Sequence, residues 1–379
     1  MSKNKIDHLV EAFEGKTLTR RDFIKQATAA GLSMAAVLSV AGEFGQKEAY
    51  ADQVDRRRLS KELNIYNWSD YIAEDTISNF EKEFGVKVHY DTYEDNESLL
   101  AKLLSGASGY DVVVPTGYMV DIMIKQNLLA PINHDHIPNI KGITRELLNT
   151  PFDAGNKYSV PYQWGTTGFG YNSEKIPGNV NSWGILWDPK FRGKITMLDE
   201  VRACLSAALK WLGYSLNSTS EKELKEARNL LMKQKSLIKA YINAPVKSLL
   251  ISGEVWLSEL WCGDVFMAKD ENNAINYCIP KEGCEIWADN LVILKTAPHK
   301  YTAEVWLNYS LRPEVSAGVS NVVHYASPVM AAKTFINKAD LKNSGIYPSP
   351  EVFKRLEFIR DVGEATRIYD KIWIELKSA

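Results

Sequence analysis

Residues 63–93 read LNIYNWSDYIAEDTISNFEKEFGVKVHYDTY, and the order of patterns in that stretch decides the fold. The first six residues are rich in β-favouring side chains and read as a strand. Residues 73–84 read as a helix, because Ile77, Phe80 and Phe84 recur at i, i+3 and i+7. Gly85 ends that helix, and residues 86–93, VKVHYDTY, form the next strand. A second helix, NESLLAKLLSG, is expected from a cap at Asn96 to Gly106. The run YDVVVPTGY follows, apolar until Pro115, which suits a central strand buried on both faces of a parallel sheet. Strand, helix, strand, helix, strand predicts an α/β fold built on an open sheet. Ligands of such sheets sit beyond the carboxyl ends of the strands. Trp68, Ser69, Asp70 and Tyr71 therefore fall on the rim of a cleft, together with Thr116 and Tyr118. A strand that only filled a core would not set Asn67, Ser69 and Asp70 among its aromatics. Tyr66 reads equally as core or rim.

Residues 1–51 are set aside as an export signal. Thr19-Arg20-Arg21-Asp22-Phe23-Ile24-Lys25 matches the twin-arginine pattern. The uncharged stretch at 26–42 is too short and too Ala-rich for a membrane span, which needs about 20 strongly apolar residues. Ala49-Tyr50-Ala51 supplies a small-x-small cleavage pattern before Asp52. The alternative is an amphipathic helix that happens to contain an arginine pair. No cysteine follows the apolar stretch, which argues against a lipid anchor. The twin-arginine export machinery is thus an expected partner, and the cleaved protein is expected to be soluble in the periplasm.

The remaining 330 or so residues suit two lobes at about 100–200 residues each. With 45 Lys and Arg against 47 Asp and Glu, the chain lacks the basic footprint that nucleic acid requires. Its ten tryptophans are numerous enough for some to face a ligand while most fill the core. Cys204, Cys262, Cys278 and Cys284 show no metal-type spacing. Cys278 and Cys284 flank a Pro/Gly turn that a disulfide could bridge in an oxidising compartment. His134 and His136 form the only local histidine pair, in a polar turn without a third ligand, so a solvated loop is expected rather than a metal site.

Further along, the glycines and threonines of YSVPYQWGTTGFGYN, residues 158–172, suit an extended crossing between lobes, with Trp164 as a packing residue. Residues 220–236 read as a charged amphipathic helix, and WLNYSLRPEVSA as one helix returning to the first lobe. Asp199 is a candidate cap for the helix starting near Glu200. Asp264 follows Trp261 by three residues, and Asp289 follows Trp287 by two, so on a strand the second pair shares a face.

No GxGxxG, P-loop, GxSxG or HExxH motif occurs. Asp70 and Asp289 could serve as the paired carboxylates of a carbohydrate-active enzyme, whose sugars would stack on tryptophan. A cation receptor fits the residues better. Carboxylates hydrogen-bond an ammonium for about 1.5–3 kcal/mol each. Aromatic faces add about 0.5–2 kcal/mol by cation–π attraction and cover an alkyl chain. An anion site would recruit Arg, Ser and helix N-termini instead. Acidic and aromatic segments point to a long, thin amine.

From Leu63 onward the chain resembles the periplasmic spermidine/putrescine-binding proteins of ABC uptake systems. The matching segments are YNWSDYI, FEKEFGVKV, YDVVVPTGYMVD, PYQWGTTGFGYN, FRGKI, PKEG, LRPEV and DVG, in order and with compatible spacing. The resemblance implies a two-lobed periplasmic binding protein fold, each lobe an open mixed sheet flanked by helices and joined by crossing strands. The implied boundaries are 58–165 plus 290–333 for one lobe and 166–289 plus 334–379 for the other. It implies no catalysis, no cofactor and no metal, a polyamine or other small amine as ligand, and the membrane permease of an ABC transporter as partner. An amine receptor feeding a membrane sensor would use the same site.

Carried over by position, the resemblance puts Trp68, Ser69, Asp70 and Tyr71 at one end of the amine cleft, with Thr116 and Tyr118 nearby. Trp261 matches a wall tryptophan and Asp264 an acidic position of putrescine-preferring relatives, where it either meets the ligand or holds a contact residue in place. Trp287 and Asp289 match a pair that clamps an inner amine, and Tyr325 a lining tyrosine. Two positions depart. Ala203 stands where relatives commonly carry Glu, leaving Glu200 to substitute, and Ile359 stands where spermidine binders carry a contacting Gln. The far subsite is therefore expected to be altered, with a shorter diamine as the first expectation and an amine with an apolar tail as the second.

Overall fold

The computed structural model describes residues 54–106, 109–243 and 245–379. The twin-arginine segment and its cleavage site lie outside the described residues. Residues 54–59 belong to a separate unit, in which Asp55 caps a 3-10 turn at Arg56–Arg58 by accepting from the Arg57 backbone N–H. Everything below concerns the unit that runs from Ser60 to Ala379.

Its first elements follow the apolar periodicity. Strand β1 (Glu62–Trp68) leads to helix α1 (Glu74–Phe84), which buries Thr76, Phe80 and Phe84 and stops at Gly85 in the left-handed region. Strand β2 (Lys87–Tyr93) pairs parallel with β1, and helix α2 (Asn96–Leu104) follows. Its cap is Asp95, which accepts from the Ser98 backbone N–H, and not the expected Asn96. Asn96 is released for another partner, described below. The apolar run at 110–118 contributes a short strand β3 (Val112–Val113), wholly buried, before Pro115 ends it and helix α3 (Gly117–Lys125) begins.

Strand β4 (Ser159–Asn172) is the long crossing element. Strand β5 (Ile195–Met197), helix α4 (Val201–Trp211), helix α5 (Glu221–Gln234), strand β6 (Ile238–Tyr241), helix α6 (Val246–Ile251) and strand β7 (Leu257–Trp261) follow. Next come helix α7 (Cys262–Glu271), strand β8 (Ile275–Cys278) and strand β9 (Glu285–Ile293). Asp199 does not cap α4; the N-cap is Glu200, while Asp199 pairs with Lys377 at 2.5 Å. The expected single helix over 306–317 is two, α8 (Lys300–Ser310) and α9 (Pro313–Val323). Pro313 cannot continue a helix but suits the first turn of a new one. The break lets Arg312 form a two-pronged pair with Glu83 at 2.7 and 2.8 Å, above the rings of Phe84 and Tyr309. Strand β10 (Glu357–Phe358) and helix α10 (Thr366–Ser378) close the chain.

The described strands form one ten-stranded mixed sheet in the order β2-β1-β3-β9-β4-β7-β5-β6, with β10 beside β9 and β8 beside β4. Parallel pairing within β2-β1-β3 and within β7-β5-β6 makes two βαβ halves. The antiparallel pair β9 and β4 joins them. The first part of β4, Ser159 to Thr167, pairs with β9, and its last part, Thr167 to Asn172, pairs with β7 and β8. Between Pro161 and Gln163 the register shifts, and such a bulge re-aims the side chain it contains. Tyr162, at the bulge, donates its hydroxyl to the Tyr71 carbonyl at 2.9 Å. All four cysteines are buried free thiols, so Cys278 and Cys284 are not bridged.

Candidate functional site

A cleft of about 690 Å³ opens where β1 and β3 end and β9 passes between the halves. It collects every residue singled out from the sequence: Trp68, Ser69, Asp70, Tyr71, Thr116, Tyr118, Glu200, Trp261, Asp264, Trp287, Asp289 and Tyr325. Ile359 also lines it, whereas Ala203 does not and packs with Leu198, Val246 and Leu250 below.

Asp289 is the centre. Along β9 every residue is buried, and the two-residue period sets Glu285, Trp287 and Asp289 on one face. Thr116 donates its hydroxyl to Asp289 Oδ1 at 2.6 Å, and Tyr71 donates to Oδ2 at 2.9 Å. Asn96, freed from capping α2, holds Thr116 through its side-chain amide at 3.1 Å. Burial pushes the Asp289 carboxyl up to about 7, against the downward pull of the Thr116 and Tyr71 hydroxyls. A carboxylate offers about four lone-pair sites, and these two donors fill two of them. Among the described residues no cation pairs with Asp289.

Aromatic rings wall this carboxyl. Tyr325 lies edge-on to Trp287 at 5.0 Å and to Tyr71 at 5.5 Å. The Trp287 ring is seated against Gly165 of β4, where an added Cβ would come within 2.8 Å of it. Gly263 does the same for Tyr325, whose ring would meet a Cβ at 2.6 Å. Trp68 crosses toward Trp261 at 6.2 Å and is pinned by its indole N–H to the Val114 carbonyl at 2.7 Å. Tyr66 is core, stacked on Tyr110 at 4.7 Å.

The two ends of the cleft differ. At one end Glu200 holds a buried Oε1 without a hydrogen-bond partner, and burial, with nearby Glu97 and Glu285, raises its pKa well above the usual carboxylate range. Glu285 also holds a buried, unpartnered Oε2, and burial lifts it to about 7 against the pull of Arg202. Arg202 itself is tied to the Arg360 carbonyl at 2.8 Å and lies over the Tyr118 and Tyr369 rings. Tyr118 donates to Glu97 Oε1 at 2.9 Å. At the other end Asp264 accepts from the Tyr325 hydroxyl at 2.5 Å, so it does hold a lining ring in place. Its second oxygen meets Lys247 Nζ at 2.9 Å, and the same ammonium reaches Asp70 at 2.9 Å. Asp70, expected to face a ligand amine, is thus engaged by the chain's own ammonium. Ser69 turns to Glu94 at 2.6 Å.

Glu285, Arg202 and Lys247 were not foreseen. Glu285 had a signal, since it continues the same-face series of Trp287 and Asp289 by one more step. Lys247 had none, because its partners lie 177 and 17 positions away in sequence. No cluster of His, Cys, Asp or Glu among the described residues could hold a metal ion. His134 and His136 have separate partners, the Asn156 carbonyl and Glu304. No helix among the described residues is long and apolar enough to cross a membrane.

A sequence-family model described as bacterial extracellular solute-binding protein matches residues 75–345. The spermidine/putrescine-binding periplasmic protein of Escherichia coli (strain K12) is 36% identical over 337 residues, 88% of this chain and 95% of its own. The putrescine-binding periplasmic protein of Pseudomonas aeruginosa (strain UCBPP-PA14) is 35% identical over 339 residues, 84% of this chain and 92% of its own. Among solved structures, a protein from Listeria monocytogenes assigned to a spermidine/putrescine ABC transporter superposes with a TM-score of 0.81 at 35% identity, over 84% of this chain and 99% of that one.

Proposed function

The chain belongs to the bacterial extracellular solute-binding protein family, alongside the periplasmic spermidine/putrescine-binding proteins, and from that membership we propose that it captures a polyamine for an ABC importer. The observation that carries this reading is Asp289. A buried carboxyl with two hydroxyl donors, aromatic walls and no cation partner among the described residues is completed by an ammonium group. The cation would restore the charge that burial disfavours, through contacts of about 1.5–3 kcal/mol each.

In this reading Asp289 and Trp287 hold one ammonium, and the unpartnered oxygens of Glu200 and Glu285 take the second. Trp68, Tyr71, Thr116, Tyr118, Trp261 and Tyr325 cover the carbon chain between them. A putrescine-like diamine is favoured over spermidine, because Ile359 gives no hydrogen bond and the Asp70 and Asp264 carboxylates already share Lys247. The two halves of the sheet act as lobes, bounded at 58–165 plus 290–333 and 166–289 plus 334–379, that close over the ligand about β4 and β9. Export by the twin-arginine route would deliver the protein to the periplasm, where the permease receives the loaded form. The protein acts as a receptor and not as an enzyme: Asp70 is spent on Lys247 and is no free partner for Asp289 in acid–base chemistry.

Calorimetric titration of the protein with putrescine, cadaverine, spermidine and spermine tests this. One-to-one saturable binding of at least one amine, strongest for a diamine, is expected. No heat from any of the four would overturn the polyamine reading.

A further inference from the structure

Lys247 stands in the second position of the short helix α6 and reaches two carboxylates that no local pattern brings together. Asp264 lies in the first turn of α7 with its side chain 8% exposed, and Asp70 lies in the turn after β1 with its side chain 66% exposed. Asp70 adopts a left-handed backbone conformation, φ 52°, which aims its carboxylate across the mouth toward Lys247. The lysine is itself only 16% exposed and lies 2.9 Å from both partners. Burial works against its charge, but Asp264 and Asp70 more than offset this, so the ammonium holds its proton more firmly than usual. Both aspartates line the cleft, and the other end of the cleft offers carboxyl oxygens with no partner at all. One end is therefore ion-paired from within, while at the other Arg202 only pulls on Glu285 from a distance and forms no ion pair with it.

We propose that Lys247 is a specificity-determining residue whose ammonium holds the Asp70–Asp264 subsite, shortening the cleft so that it accepts two ligand ammonium groups and not a third. The proposal rests on the polyamine reading and deepens it by naming what limits ligand length. A tethered ammonium competes as if present at about millimolar concentration or more. A longer polyamine must displace it, or leave its own terminal charge beside a like charge in a partly dry site. Either adds to the cost of the longer ligand and leaves the diamine untouched.

The test compares putrescine and spermidine affinities, by calorimetry, in the full protein and in the K247M and K247R variants. K247M removes the charge at similar length and is expected to raise the spermidine-to-putrescine affinity ratio about tenfold or more. K247R keeps a cation between the carboxylates and is expected to leave the ratio within about twofold. Should K247M not fold, as judged by its thermal melt, K247Q keeps polar contacts to both carboxylates and is expected to shift the ratio in the same direction. An unchanged ratio in a folded K247M or K247Q, with both affinities falling together, would mean that Lys247 only staples the β1 turn to α7, and would overturn the proposal. Failure of the wild-type protein and all variants to bind either amine is the separate outcome that overturns the polyamine reading itself.

Discussion

Asp264 and Asp289 are the same residue type, 6% and 5% exposed, in one cleft, yet they are finished differently. Asp264 has a lysine ammonium and a tyrosine hydroxyl. Asp289 has two hydroxyls and no cation among the described residues, and its carboxyl is pushed up to about 7. Burial alone therefore does not mark a binding carboxylate. The chain completes one of these two cleft aspartates with a cation of its own and, in the proposed reading, leaves the other to be completed from outside. In that reading the first is held by the chain's own lysine and the second is left for the ligand.

If that contrast is right, replacing each aspartate must hurt a different property. Asp289→Asn keeps the shape and the acceptor oxygen but removes the charge, and is expected to weaken amine binding at least 100-fold, about 3 kcal/mol. Its urea midpoint at pH 7.5 is expected to stay level or rise, because a buried charge without a cation has been removed. Asp264→Ala should do the reverse in stability. It strands the Lys247 ammonium with one exposed partner and leaves the Tyr325 hydroxyl without its acceptor, for a loss of about 2 kcal/mol in urea denaturation. Equal stability losses in both variants would erase the distinction.

A smaller effect comes from pH. In the folded protein Asp289 and Glu285 release protons at about 7 and Glu259 at about 8, far above the ordinary carboxyl values of the unfolded chain. Between about pH 4 and 8 the folded form thus holds more protons than the unfolded one, and their contribution to stability falls as pH rises. Amine binding has the opposite sign, since it needs the carboxylate. Affinity should rise by up to about tenfold per unit as pH climbs toward 7 and then level off, and binding at pH 6.5 should release protons, read by calorimetry in buffers of different ionisation enthalpy. Tyr71→Phe gives the smallest change. It removes one of the two donors that hold Asp289 down, so the midpoint should move above 7 and affinity at pH 7 should fall about threefold.

Local patterns carried much of this to the surface of the sequence. The 63–93 stretch announced its strand, helix and strand because apolar spacing is a local property, and Gly85 stopped α1 where a left-handed residue was needed. The aromatic and acidic segments converge on one cleft because strand ends in an open sheet converge. What stayed hidden depends on partners distant in sequence. Asn96 looked like a helix cap, but Asp95 takes that place and Asn96 instead orients Thr116. Asp199 looked like another and proved to pair with Lys377, near the far end of the chain. Lys247 carries no local mark of its two carboxylate partners. The break before Pro313 was the exception: that proline was visible, and its effect on the helix was overlooked.

The insertion of β9 between β3 and β4 also governs how the molecule comes into being. Strand β3 ends at Val113 and its antiparallel neighbour starts at Glu285, so a ribosome adding about 5–20 residues per second keeps that edge unpaired for roughly 10–35 s. During that time β3 and the first part of β4 present open hydrogen-bonding edges to whatever else is being made nearby. The strand that carries Asp289 is thus also the one whose arrival ends the risk of misassembly. Synonymous or coding changes that slow its emergence would lower the yield of protein without altering a single contact in the finished fold.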